Sequence, residues 1–172
     1  MTRHSRITRL LHWLLVPLLW ALFGFGKYLE NAEPSLSNFH LWGWHKSLGL
    51  LAFALILIRL IWRLTSQKPL PENLPAWQHN AAAITHLVLY VLMVLTPLLG
   101  WMASSASGLP ITFFGVFDIP LIGPSGEEAE RQLFRMHGIC ATILIVLSLL
   151  HVGAALHHHF VRRNNVLRRM LP

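Results

Sequence analysis

The sequence predicts an all-α membrane protein: one domain, residues 1–172, built as a bundle of four transmembrane helices. Of the 172 residues, 54% are hydrophobic and only 12% are charged, whereas a soluble domain carries about 25% charged residues. The apolar residues form four long runs, and a helix needs about 20 mostly apolar residues to cross a bilayer. The basic residues gather at one end of the runs. These three observations together indicate a multi-pass membrane protein.

Each apolar run is predicted as one helix. The second run is the least certain, because only 12 residues separate Lys46 from Arg59 and the helix must hold both cations inside its ends. Long basic side chains can reach the interface from such positions, or they can meet a buried anion. A proline-rich loop follows the second helix, and a Gly/Pro/Ser-rich loop, residues 104–126, follows the third. The predicted helices cover approximately residues 7–29, 39–64, 78–103 and 131–161.

The distribution of basic residues predicts the orientation of the helices. Ten of the 14 lysines and arginines fall on one side of the predicted bundle and four on the other. The positive-inside rule therefore places both chain termini in the cytoplasm. The net charge of +7 is explained by this rule, so we expect the lipid bilayer as a partner and no nucleic acid. The outer four are Lys27, Lys46, Arg131 and Arg135.

Four histidines are expected to form two pairs at two depths. His137 and His151 are 14 residues apart, which corresponds to nearly the same helix face and a rise of about 21 Å. His45 lies near the outer end of the second helix, level with His137, and His12 lies near the inner end of the first helix, level with His151. Imidazoles that face each other across an apolar bundle are suited to hold haem iron from both sides.

Other readings of these residues remain open at this point. A single membrane histidine can serve as a hydrogen-bonding or proton-relay residue between helices. A structural zinc site gathers four nearby Cys or His side chains, which pairs about 21 Å apart do not provide, so the pattern favours haem.

Two further polar residues and five glycines could contact the haems. Arg59, 14 residues after His45, could bind a propionate of the inner haem or extend to the interface. His86 could form a hydrogen bond to a propionate or to a quinone, or it could be a helix-packing residue. The glycines expected to make room for porphyrin are Gly24, Gly26, Gly49, Gly138 and Gly153.

Several motifs in order along the chain resemble the bacterial cytochrome b561 family, most closely its superoxide oxidase branch. They are SRITRLLHW around His12, WHKSLGLL and IRLIWRL around and after His45, HLVLYVLMVLTPLLGW in the third helix, and the closing NNVLRRMLP. The resemblance implies two haem b groups, an inner one on His12 and His151 and an outer one on His45 and His137. It also implies the bacterial inner membrane and ubiquinone near the inner haem. The family usually has an acid at the position of Asn164.

Two sets of polar residues are the candidates for contact with the electron acceptor and donor. His158 continues the heptad series of the fourth helix about 10 Å beyond His151, and we expect it to contact ubiquinone, with His159, Arg163 and Lys68 as further candidates. An interfacial cluster that contacts lipid head groups is the alternative. On the outer side, a positive patch would steer a small anion such as superoxide to the haem edge, although solvated helix ends are an equal alternative. That patch consists of Lys46, Arg131 and Arg135.

The sequence leads to one preferred function and two competing ones. The preferred function is a superoxide:ubiquinone oxidoreductase that oxidises superoxide on the periplasmic side and passes electrons through the two haems to ubiquinone. The second is a non-catalytic electron carrier between quinol and a periplasmic redox partner. The third is a metal transporter in which the histidines bind zinc or nickel along a path. It ranks last because it requires polar pore-lining residues, and the helices have few.

Overall fold

The structure, a computed structural model, is an all-α bundle of four long helices, which confirms the predicted fold class. It describes residues 3–33, 35, 37–66 and 74–171. All four helices are long and apolar enough to cross a membrane, and each predicted helix is present with its ends shifted by a few residues. The helices are α1 (Arg6–Asn31), α2 (Phe39–Thr65), α3 (Ala76–Ala106) and α4 (Glu127–Phe160).

The ends of the helices follow from local sequence. The hydroxyl of Ser5 caps α1 by accepting a hydrogen bond from the backbone N–H of Thr8 at 3.2 Å, which satisfies one of the free donors of the first turn. α4 begins with three acids and ends with the histidines of residues 157–159, an arrangement that matches the helix dipole at both ends. Few apolar side chains of the four helices are fully buried and many are exposed, as expected where lipid is the solvent.

Consecutive helices pack side by side, and α3 and α4 contact each other along much of their length. A small buried cluster between these two helices contains Leu99, Ala103, Ala106 and Leu133. α1 and α4 touch only slightly, so a space remains between them. We call the end of the bundle that holds both chain termini the inner end, and the opposite end the outer end.

A β-hairpin at the outer end differs from the sequence expectation of a plain loop. Strands β1 (Ile111–Phe113) and β2 (Phe117–Ile119) pair antiparallel, with Phe113 opposite Phe117. Phe114 and Gly115 have φ of 48° and 76°, and these left-handed conformations let the chain reverse in a tight turn. β1 packs mainly against α2.

The C-terminal segment folds back over the start of α1 at the inner end. The indole N–H of Trp13 donates to the carbonyl of Met170, and the guanidinium of Arg9 donates to the carbonyl of Leu171, both at 2.8 Å. The backbone N–H of His4 donates to the carbonyl of Arg169 at 3.2 Å. The last residues are therefore part of the bundle's inner end.

Candidate functional site

The structure brings the four histidines together in the two pairs expected from their depths. The ring centroids of His45 and His137 are 6.5 Å apart with an angle of 88° between the ring planes. Those of His12 and His151 are also 6.5 Å apart, with an angle of 85°. The first pair lies in the outer half of the bundle and the second in the inner half, about 21 Å apart along α4.

This spacing fits one metal ion held between the two imidazoles of each pair. A bond from a metal to an imidazole nitrogen is about 2.1 Å, and the nitrogen lies about 1.1 Å from the ring centroid. Two coaxial imidazoles on opposite sides of one metal therefore have centroids about 6.4 Å apart. Among the described residues no group of three or more His, Cys, Asp or Glu side chains is gathered to hold a metal ion. The donor sets are pairs, as axial ligation of haem iron requires.

The outer pair is held in position by its neighbours. The Nδ1 of His137 donates a hydrogen bond to the backbone carbonyl of Thr96 at 2.8 Å, because that oxygen can only accept. The proton is therefore on Nδ1, and Nε2 keeps the lone pair that binds a metal. Two glycines provide space for the rings: a Cβ on Gly26 would lie 3.2 Å from His45, and a Cβ on Gly100 would lie 2.9 Å from Nδ1 of His137. Gly100 was not predicted from the sequence, because it lies in a helix that contributes no histidine to either pair.

A cavity of about 1010 Å³ surrounds the outer pair, at the upper end of the range for cofactor pockets. All four helices and Ile111 of β1 line it, and its wall is predominantly apolar. Gly49 and Gly138 lie on its wall, and a Cβ on either would meet no atom within 4 Å. An apolar cavity with two facing imidazoles and open space at its glycines fits a porphyrin, as the sequence expectation required.

The charged residues at the outer end fall into two groups. Lys46, Arg135 and Glu130 all line the cavity. Arg131, in contrast, does not line the cavity. Its side chain is exposed, and its guanidinium donates to the carboxylate of Glu128 at 2.6 Å. Of the three basic residues expected to attract an anion, the structure therefore places Lys46 and Arg135 at the cavity and pairs Arg131 with an acid on the surface.

The inner pair lies beside a cation with unused donors. The Nε and Nη1 atoms of Arg59 are fully buried and have no hydrogen-bond partner in the described part of the chain, and its guanidinium lies 5.9 Å from the ring centroid of Tyr90. Two N–H groups in a planar guanidinium match a carboxylate, so this position fits a haem propionate. The ring of His86 lies 5.4 Å from that of His151, which makes His86 a neighbour of the inner pair. Packing against His151 and contact with a bound group are both compatible with this position.

Cations also surround the start of the chain at the inner end. His4 lies just before α1 and is partly buried. Burial lowers the pKa of His4, and the positive charges of Arg63, Arg169 and Arg59 lower it further. The inner end therefore presents a positive potential to any small polar or anionic molecule that approaches it.

The residues expected to contact the electron acceptor, ubiquinone, are found at the inner end of α4 and just beyond it. The Nδ1 of His158 is 2.8 Å from the side-chain nitrogen of Asn164, so Asn164 bonds directly to His158. Because the amide nitrogen donates, Nδ1 accepts and the proton of a neutral His158 is on Nε2. The Nδ1 of His159 is buried and unbonded among the residues described. Arg163 adopts a left-handed φ of 53°, and Lys68 lies outside the described residues.

One family model and three known proteins that match the chain are all consistent with a cytochrome b. The family model described as prokaryotic cytochrome b561 matches residues 3–172. The chain is 33% identical to cytochrome b561 homolog 2 of Escherichia coli K12, over 98% of this chain and 91% of that protein. It is 31% identical to cytochrome b561 homolog 1 of the same organism, over 100% of this chain and 98% of that protein. It is 29% identical to the probable superoxide oxidase CybB of Yersinia pestis, over 94% of this chain and 92% of that protein.

Proposed function

The chain belongs to the prokaryotic cytochrome b561 family of haem b-binding, membrane electron-transfer proteins, and from that premise we propose that it is a superoxide:ubiquinone oxidoreductase of the bacterial inner membrane. Both termini would lie in the cytoplasm. Superoxide would be oxidised at the outer end and ubiquinone reduced at the inner end. The observation that carries the proposal is the pair of facing imidazoles at each of two depths, 6.5 Å between centroids in both cases.

Two haem b groups would be held by these pairs, the outer one by His45 and His137 and the inner one by His12 and His151. Haem would supply reversible one-electron chemistry at its iron, and both histidines of each pair would serve as its ligands. The protein would contribute ligand orientation through the bond from His137 to the Thr96 carbonyl.

The residues around the outer cavity would attract superoxide. Lys46 and Arg135 line the cavity, and positive charge at an entrance raises the encounter rate of a small anion. Glu130 lies beside them and reduces that attraction. Arg131 would contribute little, since Glu128 neutralises it at an exposed site.

The residues at the inner end would bind and protonate the quinone. The overall reaction takes one electron from each of two superoxide ions, releases two oxygen molecules, and adds two electrons and two protons to ubiquinone. His158 would present its Nε2–H to a quinone carbonyl, because Asn164 holds Nδ1 as the acceptor. His159, Arg163 and Lys68 remain further candidates for quinone contact. Arg59 would hold an inner propionate with its two buried donors.

A second function is favoured by one observation, the carboxylate of Glu130 in the cavity wall. An acid at this position repels superoxide but not a reduced protein that docks on the outer end. The protein would then be an electron carrier between quinol and a periplasmic redox partner.

Rapid mixing distinguishes the two functions. The oxidised protein is mixed with a superoxide pulse, with and without ubiquinone, while haem absorbance and oxygen are followed. The superoxide oxidase predicts prompt haem reduction that reverses when ubiquinone is present, with release of oxygen. A haem spectrum that stays oxidised under superoxide and is reduced promptly by quinol contradicts it and supports the carrier. Heat-denatured protein controls for free haem.

A further inference from the structure

The tip of the β-hairpin, which we define as residues 113–117, has the sequence FFGVF and carries no polar side chain. Its side chains are nonetheless largely exposed: Val116 is 78% exposed, Phe117 53% and Phe114 38%. The nearest polar side chains of the strands are those of Thr112 and Asp118, one residue pair away from the tip, where the hydroxyl of Thr112 donates to the carboxylate of Asp118. The tip is therefore an exposed and wholly apolar turn.

The contacts of the hairpin fix its height along α2. The hydroxyl of Ser47 accepts a hydrogen bond from the backbone N–H of Phe114 at 3.0 Å, and Ser47 is only 1% exposed. The ring of Phe114 contacts that of Trp44, with centroids 5.5 Å apart. The tip of the hairpin therefore lies level with residues 44–47 of α2.

That height coincides with the boundary of the hydrocarbon core. Trp62, near the inner end of α2, and Trp44, near the outer end, are 18 residues apart in the sequence, a rise of about 27 Å. The hydrocarbon core of a bilayer is about 30 Å thick, and tryptophans are enriched at its two interfaces. Trp44 is 52% exposed, as expected of a side chain that faces lipid. The hairpin tip touches this lipid-facing residue and continues its apolar surface.

The backbone N–H groups of the turn, residues 114–116, are all bonded within the protein, which favours contact with lipid, because a free N–H group there costs several kcal/mol. The N–H of Phe114 is bonded to Ser47. The N–H of Gly115 is bonded to the carbonyl of Thr112, and that of Val116 to the carbonyl of Phe113. No N–H group in the turn depends on water.

We propose that the hairpin tip inserts into the outer-end interface of the same bilayer that the four helices cross, and that it anchors the hairpin against α2 there. The bound partner is the interfacial region of phospholipids. Ile111 of the same hairpin lines the outer cavity and is 5% exposed, so the anchor holds part of the cavity wall in place. The proposal depends on the membrane spans alone and is independent of the electron-transfer reaction.

Electron paramagnetic resonance of a nitroxide at position 116 tests the anchor. A cysteine is introduced as Val116→Cys in a Cys140→Ala background, labelled, and reconstituted with the full chain in phospholipid nanodiscs. The matched control is Ser125→Cys, which lies in the same outer loop at an exposed position. Circular dichroism and a single gel-filtration peak establish that both labelled variants are folded.

The accessibility of each nitroxide to oxygen, which concentrates in lipid, is compared with its accessibility to a water-soluble nickel chelate. We expect the ratio of oxygen to nickel accessibility to be several-fold higher at position 116 than at position 125. Equal ratios at the two positions would overturn the proposal, because the tip would then project into water as a surface for a soluble partner. Low accessibility to both reagents at position 116 would also overturn it, because the tip would then be covered by protein, such as a second copy of the chain.

Discussion

Replacement of Gly100 by alanine should selectively damage the outer site. A Cβ at this position would lie 2.9 Å from Nδ1 and 3.0 Å from Cε1 of His137. Ordinary contacts begin near 3.4 Å, so the ring would have to move by about 0.5 Å. The ring cannot move freely, because its Nδ1 is bonded to the Thr96 carbonyl at 2.8 Å. The added methyl group therefore acts on a side chain that is fixed at both nitrogens when a metal is bound.

The expected loss of binding free energy for the outer haem has two contributions. Overpacking of a well-filled site costs about 1–3 kcal/mol, and a weakened hydrogen bond costs about 0.5–1.5 kcal/mol. A combined loss of about 2 kcal/mol corresponds to roughly thirty-fold weaker retention of the outer haem. Gly43→Ala is the matched control, since Gly43 also lies in the outer half of the bundle, on α2, and a Cβ there meets no atom within 4 Å.

Haem content per chain and a potentiometric titration of both variants measure the effect. We expect Gly100→Ala to lose the outer haem or to shift its midpoint potential. The midpoint potential of the inner haem should not change. Gly43→Ala should match the parent protein in both respects. Unchanged haem content and potentials in Gly100→Ala would refute the placement of His137 against α3, and with it the assignment of the outer ligands.

Three further predictions concern the charged and polar residues of the site. Arg135→Gln should slow the bimolecular reaction with superoxide about two- to five-fold at low salt, because one cation at the cavity is removed, whereas Arg131→Gln should change it little. Stopped-flow rates of the two variants over a range of ionic strength test this prediction. Equal effects of Arg135→Gln and Arg131→Gln would contradict the role of Arg135 in attracting superoxide to the cavity. Arg59→Gln should lower the midpoint potential of the inner haem by tens of millivolts, because a nearby cation favours the reduced state and is lost. Potentiometry checks this, and the midpoint potential of the outer haem should not change. His158→Phe should raise the KM for a water-soluble ubiquinone without altering haem content, and an unchanged KM would remove His158 from the quinone site.

The four helices could be predicted from the sequence because the signal is strong and local. Long apolar runs have few alternatives to membrane helices, and the helix ends agree within a few residues. The hairpin could not be predicted in the same way, since residues 104–126 read as a Gly/Pro/Ser-rich loop. Each strand is only three residues long, too short for its pattern to show. It is bonded to Ser47 of α2, a residue distant in sequence, and local sequence does not reveal such a contact.

The histidine pairs could be anticipated because helical spacing fixes depth and face. The residues that pack against each imidazole ring could not be anticipated, because they depend on the rotation of one helix relative to another. Gly100 is one example, since nothing near it in the sequence indicates that it lies against His137. Arg131 and Arg135 are a second example: they lie four residues apart on one face of α4, yet Arg135 lines the outer cavity and Arg131 bonds to Glu128 on the surface.

The central claim is that each histidine pair holds one haem, and the haem-to-protein ratio tests it most directly. The ratio is measured by the pyridine haemochrome spectrum for the parent protein and for His45→Ala and His12→Ala. The account predicts two haems per chain in the parent and one in each variant, with the remaining haem still low-spin. A ratio of one in the parent, or a full complement of haem in both variants, would contradict it.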